Sequence, residues 1–472
     1  MHLLLSANAS QDLSATPAKA AAVIRVCAVL SPLSYALDLT EGRPMGHSVR
    51  ACIIGMRIAK HIGMPIAEQA DLFYALLLKD AGCSSNSSKL FHILAADEIR
   101  AKRNVKLTDW TKVGWDSLQY AIRHVATGKP FLERMQTLFR VAAKQQTESR
   151  ELVQIRCERG AAIARRMGLP DAVAQAIYSL DEHWNGVGYP EKLVGAQIPI
   201  FSRIMNLAQT LEVFEVCRGQ KAALEVAMVR SKRWFDPDLV KAVKSLSLQG
   251  TLWQGLDKEV VLEDVLALEP IERHLMADDA TLDGICDAFA EIIDNKSPFT
   301  FRHSTGVAAA AVAMSRQLGF DELDVTFMRR AALLHDLGKL AVSNEILEKP
   351  GNLDAGEWEI IKTHPFYSYE ILRNIPTFSE LAEVAASHHE KLDGSGYFRG
   401  YTAEQMPLKS RILAVADIYD ALVADRPYRE GMPLEKVFAI LEKDAPRALD
   451  PVCVEALRTA CGLGSLGKAL SS

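Results

Sequence analysis

The chain has 472 residues, 49% hydrophobic and 24% charged, with a net charge of −5 at neutral pH. That length exceeds one ordinary core and predicts two or three domains, at roughly 150 residues each. The mild acidity excludes a broad nucleic-acid-binding surface, so no DNA partner is expected, while a local basic pocket for a small phosphorylated ligand stays open.

Eight cysteines, scattered from Cys27 to Cys461, include no CxxC pair. Reduced thiols in a cytoplasmic protein are expected, with neither a zinc ribbon nor a disulfide framework. Leu3 to Leu5 form a short apolar run, but no basic segment or sustained apolar stretch surrounds it. No secretory signal is expected. Apolar runs such as 307–314 fall far short of the roughly 20 residues a membrane span needs.

Taken in order, the chain shows apolar residues at three- and four-residue spacing over 18–30, 49–62, 161–167, 282–293 and 307–318. Alternating strand patterns are scarce, so an all-α protein is expected. The chain also repeats itself. GHSVRACIIGMRIAKHIGM from Gly46 resembles RHSTGVAAAAVAMSRQLGF from Arg302, and ALLLKDAGC from Ala75 lies over AALLHDLGK from Ala331, both 256 residues on. EHWNGVGYPEKLVGAQIPIFSRI from Glu182 matches EKLDGSGYFRGYTAEQMPLKSRI from Glu390, 208 residues on. The smaller offset places an insertion in the first copy, around the polar stretch 84–154. The connector 248–279 reads as a helix ending before Pro270. Two abutting helical domains, 1–270 and 271–472, are expected.

The second copy concentrates metal-ligand chemistry. Its organising stretch is AALLHDLGKL (331–340), an apolar run that delivers His335 and Asp336 to one point, with Gly338 letting the chain turn away. With His303, His364, His388, His389 and Asp417 these make five imidazoles and two carboxylates. That set is too rich for one four-coordinate zinc, and without thiolates it suits Fe, Mn, Ni or Zn. Two metals bridged by Asp336 fit the count. A pair roughly 3.5–4 Å apart lowers the pKa of water and stabilises the oxygens of an in-line displacement at phosphorus. Lys339, one turn past His335, is a candidate donor to a phosphate oxygen or the leaving group.

Here residues 300–430 resemble the HD-GYP domains, a subgroup of the HD-domain metal-dependent phosphohydrolases. The carrying motifs are HDLGK (335–339), ILEKPGNLDAGEWEIIKTHP (346–365), HHEKLDGSGYF (388–398) and ADIYDALVADRPYR (416–429). The resemblance implies an all-α fold, two or sometimes three metals, often Fe or Mn, and hydrolysis of a bacterial cyclic dinucleotide second messenger. Carried over by position, His303, His335, Asp336, His364, His388, His389 and Asp417 would ligate metal, and Lys339 and Asp336 would serve catalysis. Arg426 and Arg429 would meet substrate phosphates, with Gly396 and Tyr397 in the substrate loop. Cyclic di-GMP is the first expectation. Hydrolysis of 3',3'-cyclic GMP-AMP, or a non-enzymatic module that docks on cyclic-dinucleotide synthases or other signalling proteins, are the alternatives.

Three departures stand out. Phe398 replaces the proline of the GYP triplet, Ser368 replaces a glycine, and Phe299 stands where members with a third metal carry glutamate. Two metals are therefore expected, with the substrate left less determined than hydrolysis. In the first copy His303 and Asp336 map to His47 and Asp80. The other ligands become Lys79, Arg156, Leu180, Asp181 and Gln209, and Lys339 becomes Cys83. That copy should bind no dinuclear centre. A packing scaffold, or a sensor with an anion site built from Arg156, Arg159, Arg165 and Arg166, are its two readings.

Overall fold

The computed structural model describes residues 24–109, 115–256, 262–425 and 430–463. The first copy comprises β1 (Ile24–Arg25), α1 (Val26–Thr40), α2 (His47–His61), α3 (Ile66–Leu78), α4 (Ser87–Leu94), α5 (Glu98–Val105), α6 (Trp115–His124), α7 (Phe131–Arg166), α8 (Asp171–Tyr178), α9 (Ile200–Arg218), α10 (Gln220–Val229) and α11 (Pro237–Leu248). After α12 (Leu262–Leu266) and β2 (Met276–Ala277) come α13 (Asp279–Asp294), α14 (His303–Gln317), α15 (Glu322–Leu334), α16 (Asn344–Leu347), α17 (Ala355–Ile361), α18 (His364–Leu372) and α19 (Ser379–Ala386). The chain closes with α20 (Leu408–Val423), α21 (Leu434–Asp444) and α22 (Pro451–Ala460).

The helical spacing of the sequence is realised, and the caps are supplied locally. Asp97, Asp278 and Asp321 each accept an early backbone N–H of the helix they precede. Asp236 and Asp450 do the same just before an N1 proline. The insertion is helical: α5, α6 and the first part of the 36-residue α7 fill it.

The all-α expectation holds; among the described residues the fold adds only a two-residue strand pair, in which β1 meets β2 antiparallel with Ile24 opposite Ala277. Two expectations need correcting. The connector is not one helix; among its described residues it holds the five-residue α12, a 3-10 turn at Ile271–Arg273 and β2. The second concerns Gly338, which does not turn the chain through a positive φ. Its Cα lies so close to α18 that a Cβ would fall 2.0 Å from the His364 carbonyl oxygen. Gly82 in the first copy meets the Arg156 carbonyl in the same way, at 1.9 Å. Glycine is needed in both copies because one backbone runs against another.

The repeat is visible in detail. Asp294 accepts the backbone N–H and hydroxyl of Ser304, and Asp38 accepts those of Ser48. Glu390 accepts three backbone N–H groups from Arg399, Gly400 and Tyr401; Glu182 accepts three from Glu191, Lys192 and Leu193. The copies also pack reciprocally. α1 lies against the second copy's 3-10 turn (Leu337–Ala341) and α18, while α13 lies against the first copy's turn at Ser84–Asn86 and α7. One continuous apolar core runs through both.

Candidate metal centre

α15 ends at Leu334 because the chain tightens into a 3-10 turn, and this leaves His335 and Asp336 at the helix end. His303 opens α14, His364 opens α18, His388 and His389 follow α19, and Asp417 projects from the middle of α20. All seven predicted ligands converge.

Asp336 stands at the centre. Its Oδ1 lies 3.4 Å from His364 Nε2 and 3.5 Å from His388 Nε2. Its Oδ2 lies 3.6 Å from His303 Nε2 and 3.4 Å from His335 Nε2. Asp417 spans the same division, with Oδ1 3.1 Å from His303 Nε2 and Oδ2 3.6 Å from His389 Nδ1. The donors thus form two groups, His303, His335 and Asp417 in one and His364, His388 and His389 in the other. Asp336 faces both.

The donor chemistry fits divalent metal. The Nδ1–H groups of His335, His364 and His388 each donate to the backbone carbonyl three residues earlier, at 2.7 Å. That fixes the tautomer and turns each Nε2 lone pair inward. The Nε2 atoms of His364 and His388 then face each other at 3.0 Å, two acceptors with no proton between them. His335 Nε2 and Asp336 Oδ1 are buried without a hydrogen-bond partner. A cation resolves all of these. Burial holds His364, His388 and His389 below the usual imidazole range, in the neutral ligating form. Burial opposes the charge on Asp336, but His335 and Lys339 hold its carboxyl well below the carboxylate range. Burial likewise opposes charge on His303, yet Asp417 and Asp420 lift it to about 9.

Lys339 lies at the rim. Its Nζ donates to Asp336 Oδ2 at 2.5 Å and its side chain is 18% exposed. The Tyr397 ring rests on His389, with centroids 4.7 Å apart. Gly396 packs against the backbone of His389 and Glu390 too closely for any Cβ. Arg426 and Arg429 lie outside the described residues.

Sequence reasoning missed Asp420. Its Oδ2 accepts from His303 Nδ1 at 2.7 Å. The available signal was its place one turn beyond Asp417 and its counterpart Glu212, which bonds His47 in the first copy. The reading of Ser368 also changes. The side chain is buried; its hydroxyl accepts from Gly338 N at 2.9 Å and donates to His335 O at 2.8 Å. It ties down the turn that carries His335 and Asp336. Phe398 sits at φ +62° among Phe366, Tyr369 and Arg399. Proline cannot take that backbone angle.

The first copy's pocket is filled with cations of the chain itself. Lys79 pairs with Asp80, and Lys106 lies 3.4 Å from Asp80 and 3.2 Å from Glu41. Glu41, Asp80 and Cys83 are close enough to hold an ion, but these ammonium groups occupy the carboxylates. The arginine anion site, one of the two readings of this copy, is not formed. Arg156 pairs with Asp181, Arg165 with Asp171, and Arg159 and Arg166 reach Glu291 of α13.

A helical domain with adjacent His and Asp at the centre of such a cluster defines the HD class of metal-dependent phosphohydrolases. The sequence profile of the HD domain matches residues 135–239 and 287–452. A 3'3'-cGAMP-specific phosphodiesterase 3 of Vibrio cholerae is 44% identical over 431 residues, covering 91% of this chain and 93% of that protein. The cyclic di-GMP phosphodiesterase response regulator RpfG of Xanthomonas campestris is 42% identical over 146 residues, 30% of this chain and 39% of its own. The crystal structure of the V. cholerae cyclic GMP-AMP phosphodiesterase V-cGAP3 superposes with a TM-score of 0.65 at 39% identity, covering 94% of this chain and 99% of that one. The chain belongs to the HD domain family, as a phosphodiesterase of the HD-GYP type. Among the described residues, no helix is long and apolar enough to cross a membrane.

Proposed function

We propose that the second copy is a dinuclear phosphodiesterase that opens a cyclic dinucleotide, with 3',3'-cyclic GMP-AMP as substrate. The observation that carries hydrolysis is the division of the seven donors about Asp336. His303, His335, Asp336 and Asp417 would hold one ion, and His364, His388, His389 and Asp336 the other. The ions would be Fe or Mn, with Zn or Ni as lesser fits to this donor set. When bound, they supply Lewis acidity and an activated water to the reaction at phosphorus.

The chain's own residues complete the reading. The backbone carbonyls behind His335, His364 and His388 keep three imidazoles oriented. Lys339, held on Asp336 and open to solvent on one side, would swing its ammonium to a phosphoryl oxygen or the leaving 3' oxygen. Tyr397 would stack a purine above His389, on a loop kept tight by Gly396. Arg426 and Arg429 would meet the second phosphate. The GMP-AMP hybrid is preferred over cyclic di-GMP because likeness to a GMP-AMP-specific enzyme runs through both copies, while likeness to RpfG covers 30% of the chain. Residues 1–270 would be the degenerate regulatory or structural domain and 271–472 the catalytic one.

The test is product chromatography with both cyclic dinucleotides side by side, on protein whose metal content has been measured. Two ions per chain and faster turnover of GMP-AMP are expected. Equal rates would remove the substrate preference, and a well-folded protein that binds no metal would remove the enzymatic reading. A cyclic di-GMP activity, the second reading, would appear as a linear di-guanosine product.

A further inference from the structure

The insertion of the first copy touches the second copy in a way that a surface helix does not. Glu98, the first residue of α5, is fully buried. Its carboxylate accepts from Lys296 Nζ at 2.8 Å, from Ser343 Oγ at 2.9 Å, and from Asn344 N at 3.1 Å to each oxygen. Every one of these donors belongs to the second copy. Lys296 is itself 1% exposed, and its backbone carbonyl accepts from Asn344 Nδ2 at 2.8 Å. A buried pair of this kind is tolerated only when its groups are hydrogen-bonded, and here both Glu98 oxygens have partners, one of them the Lys296 ammonium.

The position of the donors matters more than their number. Lys296 lies in the loop that runs into His303. Ser343 and Asn344 follow directly on the 3-10 turn that carries Lys339 and begins at the His335–Asp336 pair. Those two chain segments share no helix, yet between them they supply His303, His335, Asp336 and Lys339. Glu98 bonds to both at once. On the next turn of the same helix Lys102 donates to Ser87 Oγ at 2.9 Å. Ser87 is the first copy's counterpart of Ser343, so α5 is clamped between equivalent points of both copies.

We propose that Glu98 is a positioning residue for the second copy's metal centre: through it, the degenerate copy fixes the distance between the His303 segment and the His335–Lys339 segment. The inference rests on the dinuclear reading above.

The test uses the full chain with Glu98→Gln, Glu98→Ala and, as a control, Glu291→Gln, which removes the exposed Arg166 pair between the copies. Mn2+ titration and steady-state turnover of whichever cyclic dinucleotide the wild type hydrolyses are both measured. For Glu98→Ala, Mn2+ affinity and kcat should each fall by about ten-fold or more, the range seen when groups that orient metal ligands are lost. KM should move by less than about two-fold, since no substrate contact is removed. Glu98→Gln should fall between, because its amide oxygen still accepts from Ser343 and Asn344 but leaves Lys296 unneutralised. Glu291→Gln should match wild type. Folded Glu98 variants with wild-type Mn2+ affinity and kcat, whatever their melting temperature, would overturn the proposal. If Glu98→Ala does not fold, Glu98→Gln/Lys296→Met leaves no unpaired ammonium, and wild-type values in it overturn the proposal equally. A wild type that binds Mn2+ but hydrolyses neither nucleotide sinks the functional reading alone, and the titration still decides the role of Glu98.

Discussion

Asp420 and Ser368 touch no candidate metal position, yet each controls a residue that does. Asp420 receives the Nδ1–H of His303 and so aims Nε2 at Asp336 and Asp417. Asp420→Asn should weaken metal binding or turnover by about 10- to 100-fold, the usual cost of removing a carboxylate behind a ligating histidine. Metal analysis and steady-state rates read it, and an unchanged enzyme would mean that His303 needs no such support. Ser368→Gly should act differently. It leaves Gly338 N–H buried without an acceptor, at about 1–3 kcal/mol of stability. Denaturant unfolding measures that loss, with the substrate preference unchanged. The candidate donors that the structure brings together were legible because histidines and aspartates recur at helix ends in one copy and are mostly replaced in the other. Asp420 was not, since a carboxylate on a helix face reads as solvated charge until the fold turns it inward. Ser368 and Phe398 were legible only as motif departures without a direction: the structure puts one beneath the turn that carries His335 and Asp336 and the other in an aromatic cluster.

Among the elements, the N-terminus of α2 shows what the repeat preserves. Gly46 stands in the left-handed region at φ +95°, and Asp38 from α1 accepts its N–H at 2.8 Å together with both donors of Ser48. The cap is wholly buried. Burial lifts the Asp38 carboxyl to about 7, against the pull of Lys79. A carboxyl raised on folding contributes stability below its unfolded value near 4, and that contribution is lost as pH climbs through about 7. The span corresponds to at most about 4 kcal/mol. Asp38→Asn keeps an acceptor for Ser48 and cannot ionise. Its stability relative to wild type should therefore rise between pH 4 and pH 8, on top of a constant offset for the bond to Gly46. Thermal melts across that range measure it, and parallel curves would show that Asp38 does not titrate there. The helices and their repeat were readable at this scale because apolar spacing survives any tertiary context. The connector was not, because α12 is set by packing on α1 and α2, and the strand pair by a contact between the copies, rather than by local pattern.

The whole molecule is built as two copies that each lean on the other's ligand turn. In the second copy that turn is braced on one side by α1 and on the other by α18, which carries His364. β2 pairs with β1, and Lys296 pairs with Glu98. Apart from α18, these braces come from residues before 110, so the second copy should not stand alone. A fragment of residues 271–472 would expose the apolar surface covered by α1 and strand the Lys296 ammonium without its carboxylate. The fragment is expected to melt far below the full chain, or not to fold, and to bind Mn2+ poorly. Chelation of the full chain gives the complementary result. Metal bound only to the folded state adds stability that rises with metal concentration, so stripping it should lower the melting temperature reversibly, and restored Mn2+ should return it. If the fragment instead melted with the full chain and bound two ions, the first copy would be a passenger. Its own pocket argues otherwise: Lys79 and Lys106 pair with Asp80, where the second copy gathers its candidate metal donors, so the first copy is expected to fold without metal and to brace its neighbour.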